Sequence, residues 1–165
     1  MCRSLLLFLL VTSARLFAGD TFRVEIRMIE RAAKAPAPVE FPDADATPLS
    51  ASLSIKSKES GRFDSATPLK LPDVTSNGVT EVPFGIVLQV TPVLNGEKLT
   101  YRVQVTHSTP IFSTRVPCPE SIAQVSSMSV YQSGPFKLGV PVWFSYPVPV
   151  GGKTMHVGLR FDKEP

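Results

Sequence analysis

One stretch of this sequence constrains the fold more than any other: the alternating runs FGIVLQVTPVL and EKLTYRVQVTHS flank Asn95-Gly96. Both central residues of a type I′ turn need positive φ, so Asn-Gly between alternating runs predicts a β-hairpin. With these two residues as the turn, Leu94 faces Glu97 and Leu88 faces Val103, leaving one face apolar and the other mostly polar. A slip of one residue would mix the two faces. We therefore expect a sheet built around this hairpin.

Alternating apolar residues predict further strands around the hairpin. The predicted strands are Thr21–Glu30, Leu49–Ser57, Thr67–Leu71, Phe136–Tyr146 and Thr154–Phe161. Ser121–Gln132 is ambiguous, because its beginning fits a helical turn and its end fits a strand. About seven or eight strands without a long helical pattern predict an all-β fold, either an antiparallel β-sandwich or a partly open barrel.

The N-terminus has the order of a secretory signal peptide. Arg3 lies in a basic n-region, Leu5–Val11 is an unbroken apolar run, and a mixed segment ends at Ala18. The run is far shorter than the ~20 residues that span a bilayer. We expect cleavage after Ala18, with Ala14 as a second candidate. The predicted organisation is a signal peptide at 1–18 and a single β-rich domain at 19–165, exported to the periplasm, the outer membrane or the medium.

Residues 31–48 interrupt the strand pattern. The segment reads RAAKAPAPVEFPDADATP, and its Ala and Pro content predicts an extended surface loop or linker. Asp43 and Asp45 lie within it, but the remaining ligand positions of an EF-hand are missing, so a solvated loop is the better interpretation.

Charge and cysteine content exclude some functions. The chain has 17 Lys and Arg against 14 Asp and Glu, and Arg3 and Arg15 belong to the predicted signal. The near-neutral remainder, without a basic cluster, predicts no nucleic-acid partner. Loss of the signal removes Cys2 and leaves Cys118 as the one thiol, so no internal disulfide is expected. Cys118 is then either buried and inert or paired with another chain.

Recognisable catalytic motifs are missing from the sequence. Its two histidines, His107 and His156, lie on predicted strands, and HExxH, CxxC, GxSxG and a Gly-rich phosphate loop are all lacking. We predict a protein that is not an enzyme and that uses no cofactor and no metal. A pair of distant carboxylates for glycoside hydrolysis needs no local spacing, so a small hydrolase stays open as a third hypothesis.

A cluster of aromatic residues near the C-terminus is a candidate ligand or partner surface. Alternation places Phe144 and Tyr146 on one face of the predicted strand and Trp143 on the other, so one of these faces is expected to be core. The remaining exposed ring suggests an alternative function, a secreted ligand-binding or carbohydrate-binding β-sandwich.

Two segments resemble the secretin family, the outer-membrane pore proteins of type II and type III secretion and of type IV pilus systems. They are RVEIRMIE at Arg23–Glu30 and PFGIVLQVTPVLNGEKLTYRVQVTHS at Pro83–Ser108, in the family's order. The residues at matching places are Gly85, Ile86, Leu88, Val90, Thr91 and Pro92. The resemblance implies strand-to-strand assembly or envelope association, and not catalysis.

The leading hypothesis is therefore an exported, non-enzymatic β-domain of the bacterial cell envelope that acts by protein–protein contact. A secretin-like component of a secretion or pilus system, with protein partners in the envelope or self-association, fits the resemblance best. Membrane association stays open, although no transmembrane helix is expected after residue 18.

Overall fold

The computed structural model describes residues 19–73, 78–112 and 123–165. Every regular element in these ranges is a β-strand. The strands are β1 (Thr21–Ala32), β2 (Leu49–Lys56), β3 (Gly61–Asp64), β4 (Thr67–Asp73), β5 (Gly78–Asn95), β6 (Lys98–Phe112), β7 (Ala123–Pro135), β8 (Val142–Pro147) and β9 (Lys153–Lys163). The predicted signal peptide and Cys118 lie outside the described residues. Within them, no helix is long and apolar enough to cross a membrane.

The strands form two antiparallel sheets. Sheet I has the order β2-β1-β9-β8, and sheet II has the order β3-β5-β6-β7, with β4 also paired to β5. The sheets do not close into a barrel, so the all-β prediction is confirmed and the sandwich is the better of its two alternatives.

One hydrophobic core lies between the inner faces of the two sheets. Phe161 of sheet I contacts Tyr101 of sheet II, with ring centroids 5.8 Å apart, and stacks on Phe136 at 4.1 Å. Each fully buried side chain of this kind contributes about 1.5–3 kcal/mol. The buried apolar residues are Phe22, Val24, Ile26, Met28, Ile55, Ile86, Leu88, Val90, Tyr101, Val103, Val105, Phe136, Tyr146, Met155, Val157, Leu159 and Phe161.

The central hairpin forms as predicted, but its predicted register is wrong by two residues. Leu88 pairs with Val105, and Asn95 pairs with Lys98, so the turn consists of Gly96 and Glu97. Gly96 has φ +60°, whereas Asn95 remains in the strand. A glycine at the first central position suffices for a turn that needs positive φ there alone. A shift of two residues keeps every side chain on its predicted face, which is why the alternation could not reveal it.

Other element boundaries also differ from the predictions. The strand expected from Phe136 begins at Val142, because Gly139 has φ +72° and Pro141 follows it. The short strand β3 was not predicted, since its four residues carry too little alternation. The described part of Ser121–Gln132, from Ala123 onward, is strand β7 and contains no helical turn.

The two longest strands separate part of the way along sheet II. β5 and β6 pair from Asn95 back to Gly85, which faces Ser108. Beyond this point β5 pairs with β4, and β6 continues beside β7 alone in the described residues. Sheet II therefore divides into two ribbons, β4–β5 and β6–β7.

Candidate functional site

The three residues of the predicted aromatic surface do not lie on one face. Tyr146 is 3% exposed and belongs to the core, and Phe144 is partly buried against it. Trp143 lies on the opposite, outer face of sheet I, where it pairs with Gly158 across β8 and β9. Strand alternation forces this division, so the predicted surface reduces to Trp143.

The outer face of sheet I carries a cluster of charged residues around Glu25. Its carboxylate accepts a hydrogen bond from Arg160 Nη2 at 2.7 Å and lies 3.5 Å from Arg27 Nη2 and from Arg23 Nη2. Glu25 and Arg27 are buried, with residue exposures of 8% and 7%. Alternation along β1 predicts a polar face turned toward solvent; Arg23 on that face is exposed, but Glu25 and Arg27 are buried, which corrects the prediction for these two residues.

The burial comes from the segment between β1 and β2, which folds back over the outer face of sheet I. We call residues 33–48 the strap. Arg27 Nε donates a hydrogen bond to the Pro42 carbonyl at 3.0 Å, and Arg31 Nη1 donates one to the Pro36 carbonyl at 3.1 Å. The strap has no regular secondary structure, and these two hydrogen bonds hold parts of it against sheet I.

Phe41 makes the main side-chain contact of the strap. Its ring centroid lies 5.1 Å from the Arg27 guanidinium carbon and 5.1 Å from that of Arg160. It also lies 5.9 Å from the centroid of the Trp143 ring. The electron-rich face of an aromatic ring attracts a cation. We call the Phe41 ring, together with the Arg27 and Arg160 guanidinium groups and the Trp143 ring around it, the aromatic clamp. No local pattern marks Phe41; the one sequence signal is a long loop holding a single aromatic ring.

Three buried polar atoms of this face have no hydrogen-bond partner among the residues that the structure describes. They are Trp143 Nε1, Arg160 Nε and His156 Nε2. A buried polar group without a partner carries a desolvation penalty of about 1–3 kcal/mol. Trp143 and Arg160 also contact Phe41. Arg160 Nε lies 3.7 Å from Asp162 Oδ2, which is an ion-pair distance and too long for a hydrogen bond.

The two histidines lie in different places. His156 is on the outer face of sheet I, where its Nδ1 lies 2.7 Å from Ser145 Oγ, and burial and the charge of Arg31 lower its pKa. His107 is in the core, where its Nδ1 lies 3.3 Å from the Tyr146 hydroxyl oxygen. Burial lowers the pKa of His107, and the negative charge of Glu30 opposes this shift. The structure does not bring the two together. No group of three or more potential metal ligands occurs in the described ranges.

The segment Gly85–Pro92, whose sequence resembles secretins, begins at the point where β5 changes partner. Gly85 has φ +126°, and a β-carbon there would lie 2.8 Å from the Ser65 carbonyl oxygen. Ser65 N donates to the Ile86 carbonyl at 2.9 Å. Because of the positive φ and the close backbone, only glycine fits without strain. The rest of the motif extends along β5, where Ile86, Leu88, Val90 and Pro92 are buried, and Thr91 Oγ1 lies 2.6 Å from Ser60 Oγ.

The edge of sheet II is formed by β7. In the described part of the chain it pairs with β6 alone. Its sequence, AQVSSMSVYQSGP, contains no charged residue, and Tyr131 is 71% exposed. Ser129 and Ser127 on its outer face contact Thr106 at 3.3 Å and Ser108 at 2.9 Å. An uncharged strand of this length is an unprotected edge.

A cavity of about 420 Å³ opens near the turn of the central hairpin. Phe136, Val140 and Val142 form part of its apolar wall, and Lys98 and Lys137 provide the charges. Its volume lies within the range of small-molecule sites.

A scan against protein-family models finds no match, and neither does a search of curated proteins. Solved secretin structures do share this fold. The InvG secretin-domain β-barrel of the Salmonella SPI-1 injectisome aligns with a TM-score of 0.53 and 8% identity, covering 100% of this chain and 69% of that chain. The type II secretin GspD of enteropathogenic Escherichia coli aligns with a TM-score of 0.55 and 10% identity, covering 99% of this chain and 75% of that chain.

Two further structures are complexes with other proteins. GspD in the ETEC pilotin–secretin complex AspS–GspD aligns with a TM-score of 0.55 and 10% identity, covering 99% of this chain. A chain of the Klebsiella pneumoniae type II secretion outer-membrane complex of PulD, PulS and the PulC HR domain aligns with a TM-score of 0.54 and 13% identity, covering 98% of the present chain. The present chain spans 53% and 43% of those chains. The resemblance to secretins is thus confirmed at the level of the fold.

Proposed function

We propose that this chain is an exported, non-enzymatic β-domain of the bacterial cell envelope that assembles with copies of itself through strand edges, as a secretin-like component. The observation that carries the proposal is the uncharged edge strand β7 of a secretin-like sandwich. Over its 13 residues, β7 is about 44 Å long at the usual rise of an extended strand.

The other edge of sheet II supports the same interpretation by contrast. β3 has only four residues, with Arg62 and Asp64 in a 2.6 Å ion pair, and β4 contains Pro68, Lys70 and Pro72. Short length, charge and proline are the features that normally keep an edge strand from pairing. β7 has none of them before its last residue, so its edge away from β6, which pairs with no other described strand, is open to a strand of another chain.

Pairing through β7 can be tested by placing charge on this edge. The double variant Ser127→Lys/Ser129→Lys puts two lysines on the outer face of β7. The matched control, Thr106→Lys/Ser108→Lys, puts the same charges on the same face one strand inward, because Thr106 pairs with Ser129 and Ser108 with Ser127. We expect the β7 variant to reduce the assembled fraction at least about tenfold in light scattering, with the control near wild type.

Equal losses in both variants would contradict edge pairing and favour contact through the outer face. Assembly unchanged in both would remove β7 from the interface. Circular dichroism of each variant checks that the sandwich has formed.

The alternative function, ligand binding, has its support in the cavity near Lys98 and Lys137, and not in Trp143, against which Phe41 already packs. An apolar wall with two lysines fits a small anionic amphiphile. Titration with a fluorescent fatty acid tests it; saturable binding lost in Lys98→Ala/Lys137→Ala would favour this function.

A further inference from the structure

The loop between β7 and β8 is fixed to the sandwich through its backbone. We call residues 136–141 the apical loop. Phe136 N donates a hydrogen bond to the Leu99 carbonyl at 3.1 Å, and Gly139 N donates one to the Phe161 carbonyl at 2.9 Å. The Phe136 ring also stacks on Phe161 in the core, with ring centroids 4.1 Å apart. The loop is therefore held in place at its beginning and at its middle.

Two large apolar side chains of this fixed loop are nevertheless exposed. Leu138 is 44% exposed and Val140 is 50% exposed, and they flank Gly139, which has φ +72°. Val140 also lines the cavity of about 420 Å³, whose wall includes Phe136 and Val142. Exposed apolar residues scattered singly need no explanation, whereas exposed apolar residues beside an apolar cavity mark a binding surface.

The charges at this cavity are positive in the described part of the chain. Lys98 of β6 and Lys137 of the apical loop line it. Two acidic residues lie close by without lining it. Glu97 precedes Lys98 in the hairpin turn, and Asp162 lies near the loop with its Oδ2 3.7 Å from Arg160 Nε. The lysines therefore give the mouth of the cavity its charge.

The remaining lining residues indicate what kind of ligand the cavity accepts. They are Leu99, Thr100 and Pro135, so Thr100 provides the one uncharged polar side chain among the described lining residues. A bound peptide takes much of its affinity from hydrogen bonds to its backbone, which this lining offers poorly. An acyl chain needs apolar walls alone, and an anionic headgroup is attracted by the lysines.

We propose that the apical loop and this cavity form a contact site for an anionic lipid surface. Leu138 and Val140 enter the acyl region, and Lys98 and Lys137 lie at the level of the anionic headgroups. Apolar side chains with lysines beside them bind the surface of a bilayer through buried apolar area and through the negative surface potential.

This inference goes beyond the proposed function and does not rest on it, because one copy of the chain is enough for the contact. The two are measured separately in the same sample. Light scattering before vesicles are added reports assembly, and sedimentation with vesicles reports lipid binding.

Co-sedimentation of the mature chain with lipid vesicles tests the proposal. The mature chain is needed because the apolar run Leu5–Val11 of the predicted signal would bind lipid by itself. We expect binding to mixed phosphatidylglycerol–phosphatidylcholine vesicles to be at least about tenfold tighter than to phosphatidylcholine alone, and to weaken as salt is added. Equal binding to both kinds of vesicle, or binding to neither, would overturn the proposal.

The apolar part of the contact is tested by placing a charge on the apical loop. Val140→Asp should weaken binding to the anionic vesicles about tenfold, because the carboxylate opposes both insertion and the surface potential. Val150→Asp is the matched control, since Val150 is 38% exposed on the β8–β9 loop at the opposite end of the sandwich. Equal losses in the two variants would contradict a contact through the apical loop.

The charged part is tested by removing two lysines at either end of the sandwich. Lys98→Ala/Lys137→Ala should weaken binding to the anionic vesicles at least about tenfold. Lys34→Ala/Lys153→Ala removes the same charge at the opposite end, where β1 ends and β9 begins, and should bind like the wild type. Equal losses would show attraction by the overall charge and would overturn the site.

A single tryptophan placed on the loop reports whether the loop enters the lipid. In a Trp143→Phe background, Leu138→Trp should emit at shorter wavelength when anionic vesicles are added, and Val150→Trp should not change. Circular dichroism checks that each variant has folded. Saturable binding of a fluorescent fatty acid by a chain that ignores both kinds of vesicle would overturn the lipid contact and favour the alternative function.

Discussion

The Trp143 ring lies directly over Gly158, its partner across the β8–β9 pair. A β-carbon at position 158 would come within 2.7 Å of two ring carbons. Glycine is therefore needed here for space, and the indole covers backbone that would otherwise face water. The same contact fixes Trp143 beside Phe41, so the clamp depends on a residue with no side chain.

Replacement Gly158→Ala should displace Trp143 and lower the free energy of unfolding by about 1–3 kcal/mol, as overpacking usually does. Gly134→Ala is the matched control, because a β-carbon on this strand glycine would lie 3.5 Å from the Tyr101 ring, an ordinary contact. Urea unfolding followed by circular dichroism measures both. Equal effects would show that Trp143 does not need the space over residue 158.

Glu25 balances the charge of a buried arginine, and its replacement should be strongly destabilising. In Glu25→Gln, the Arg27 side chain, which is 8% exposed, loses its carboxylate partner. We expect a loss of about 2–3 kcal/mol, below the range for fully buried pairs because Arg160 and Arg23 are 35% and 56% exposed.

Glu30→Gln on the same strand is the control for Glu25→Gln. Its ion pair with Lys153 is exposed and should be worth less than about 1 kcal/mol. Similar unfolding midpoints for the two variants would contradict the structural role of the cluster around Glu25.

The two buried histidines predict that stability falls on mild acidification. Burial lowers the pKa of both His107 and His156 below their ordinary 6.5, so the unfolded chain binds protons more readily than the folded chain. Stability is therefore full above pH 6.5 and is lost as the pH falls from there toward the folded pKa values. Urea midpoints between about pH 7.5 and about pH 5.5 measure the slope.

The double variant His107→Asn/His156→Asn is the control for this slope and should flatten it. This pH range lies above the ordinary pKa values of Asp and Glu side chains, so the slope reports on the histidines. A urea midpoint that rises on acidification would contradict this prediction. It would mean that the two histidines bind protons more readily in the folded chain than in the unfolded chain.

The turn of the central hairpin gives a test of register. In the observed register Gly96 needs positive φ and Asn95 does not, so Gly96→Ala should lower the free energy of unfolding by about 1 kcal/mol, while Asn95→Thr should change it little. Thermal unfolding of both variants decides the point. A clear loss of stability in both variants would instead support an Asn95-Gly96 turn, in which both residues need positive φ, and the register expected from the sequence.

The sequence predicts the parts of this fold that depend on local alternation. Phe22, Val24 and Leu159 lie on the expected faces, because a strand fixes the direction of its side chains through its own period. The same argument correctly separates Trp143 from Tyr146. It cannot choose between registers that differ by two residues, since both give the same faces.

The aromatic clamp was not predictable in this way. Phe41 meets Arg27, Arg160 and Trp143, which come from three strands, so nothing near it in sequence marks the contact. The strap has the composition of a free loop, and its packing follows from tertiary contacts alone. The role of Gly85 likewise depends on Ser65, which lies on a separate segment.

The most direct test of the central claim is the size of the mature protein extracted from cell envelopes in mild detergent, by light scattering and electron microscopy. Assembly through strand edges predicts a large, ring-like particle in the outer-membrane fraction. A stable, soluble monomer that associates with nothing would contradict it, and would leave a shared sandwich fold as the whole of the likeness to secretins.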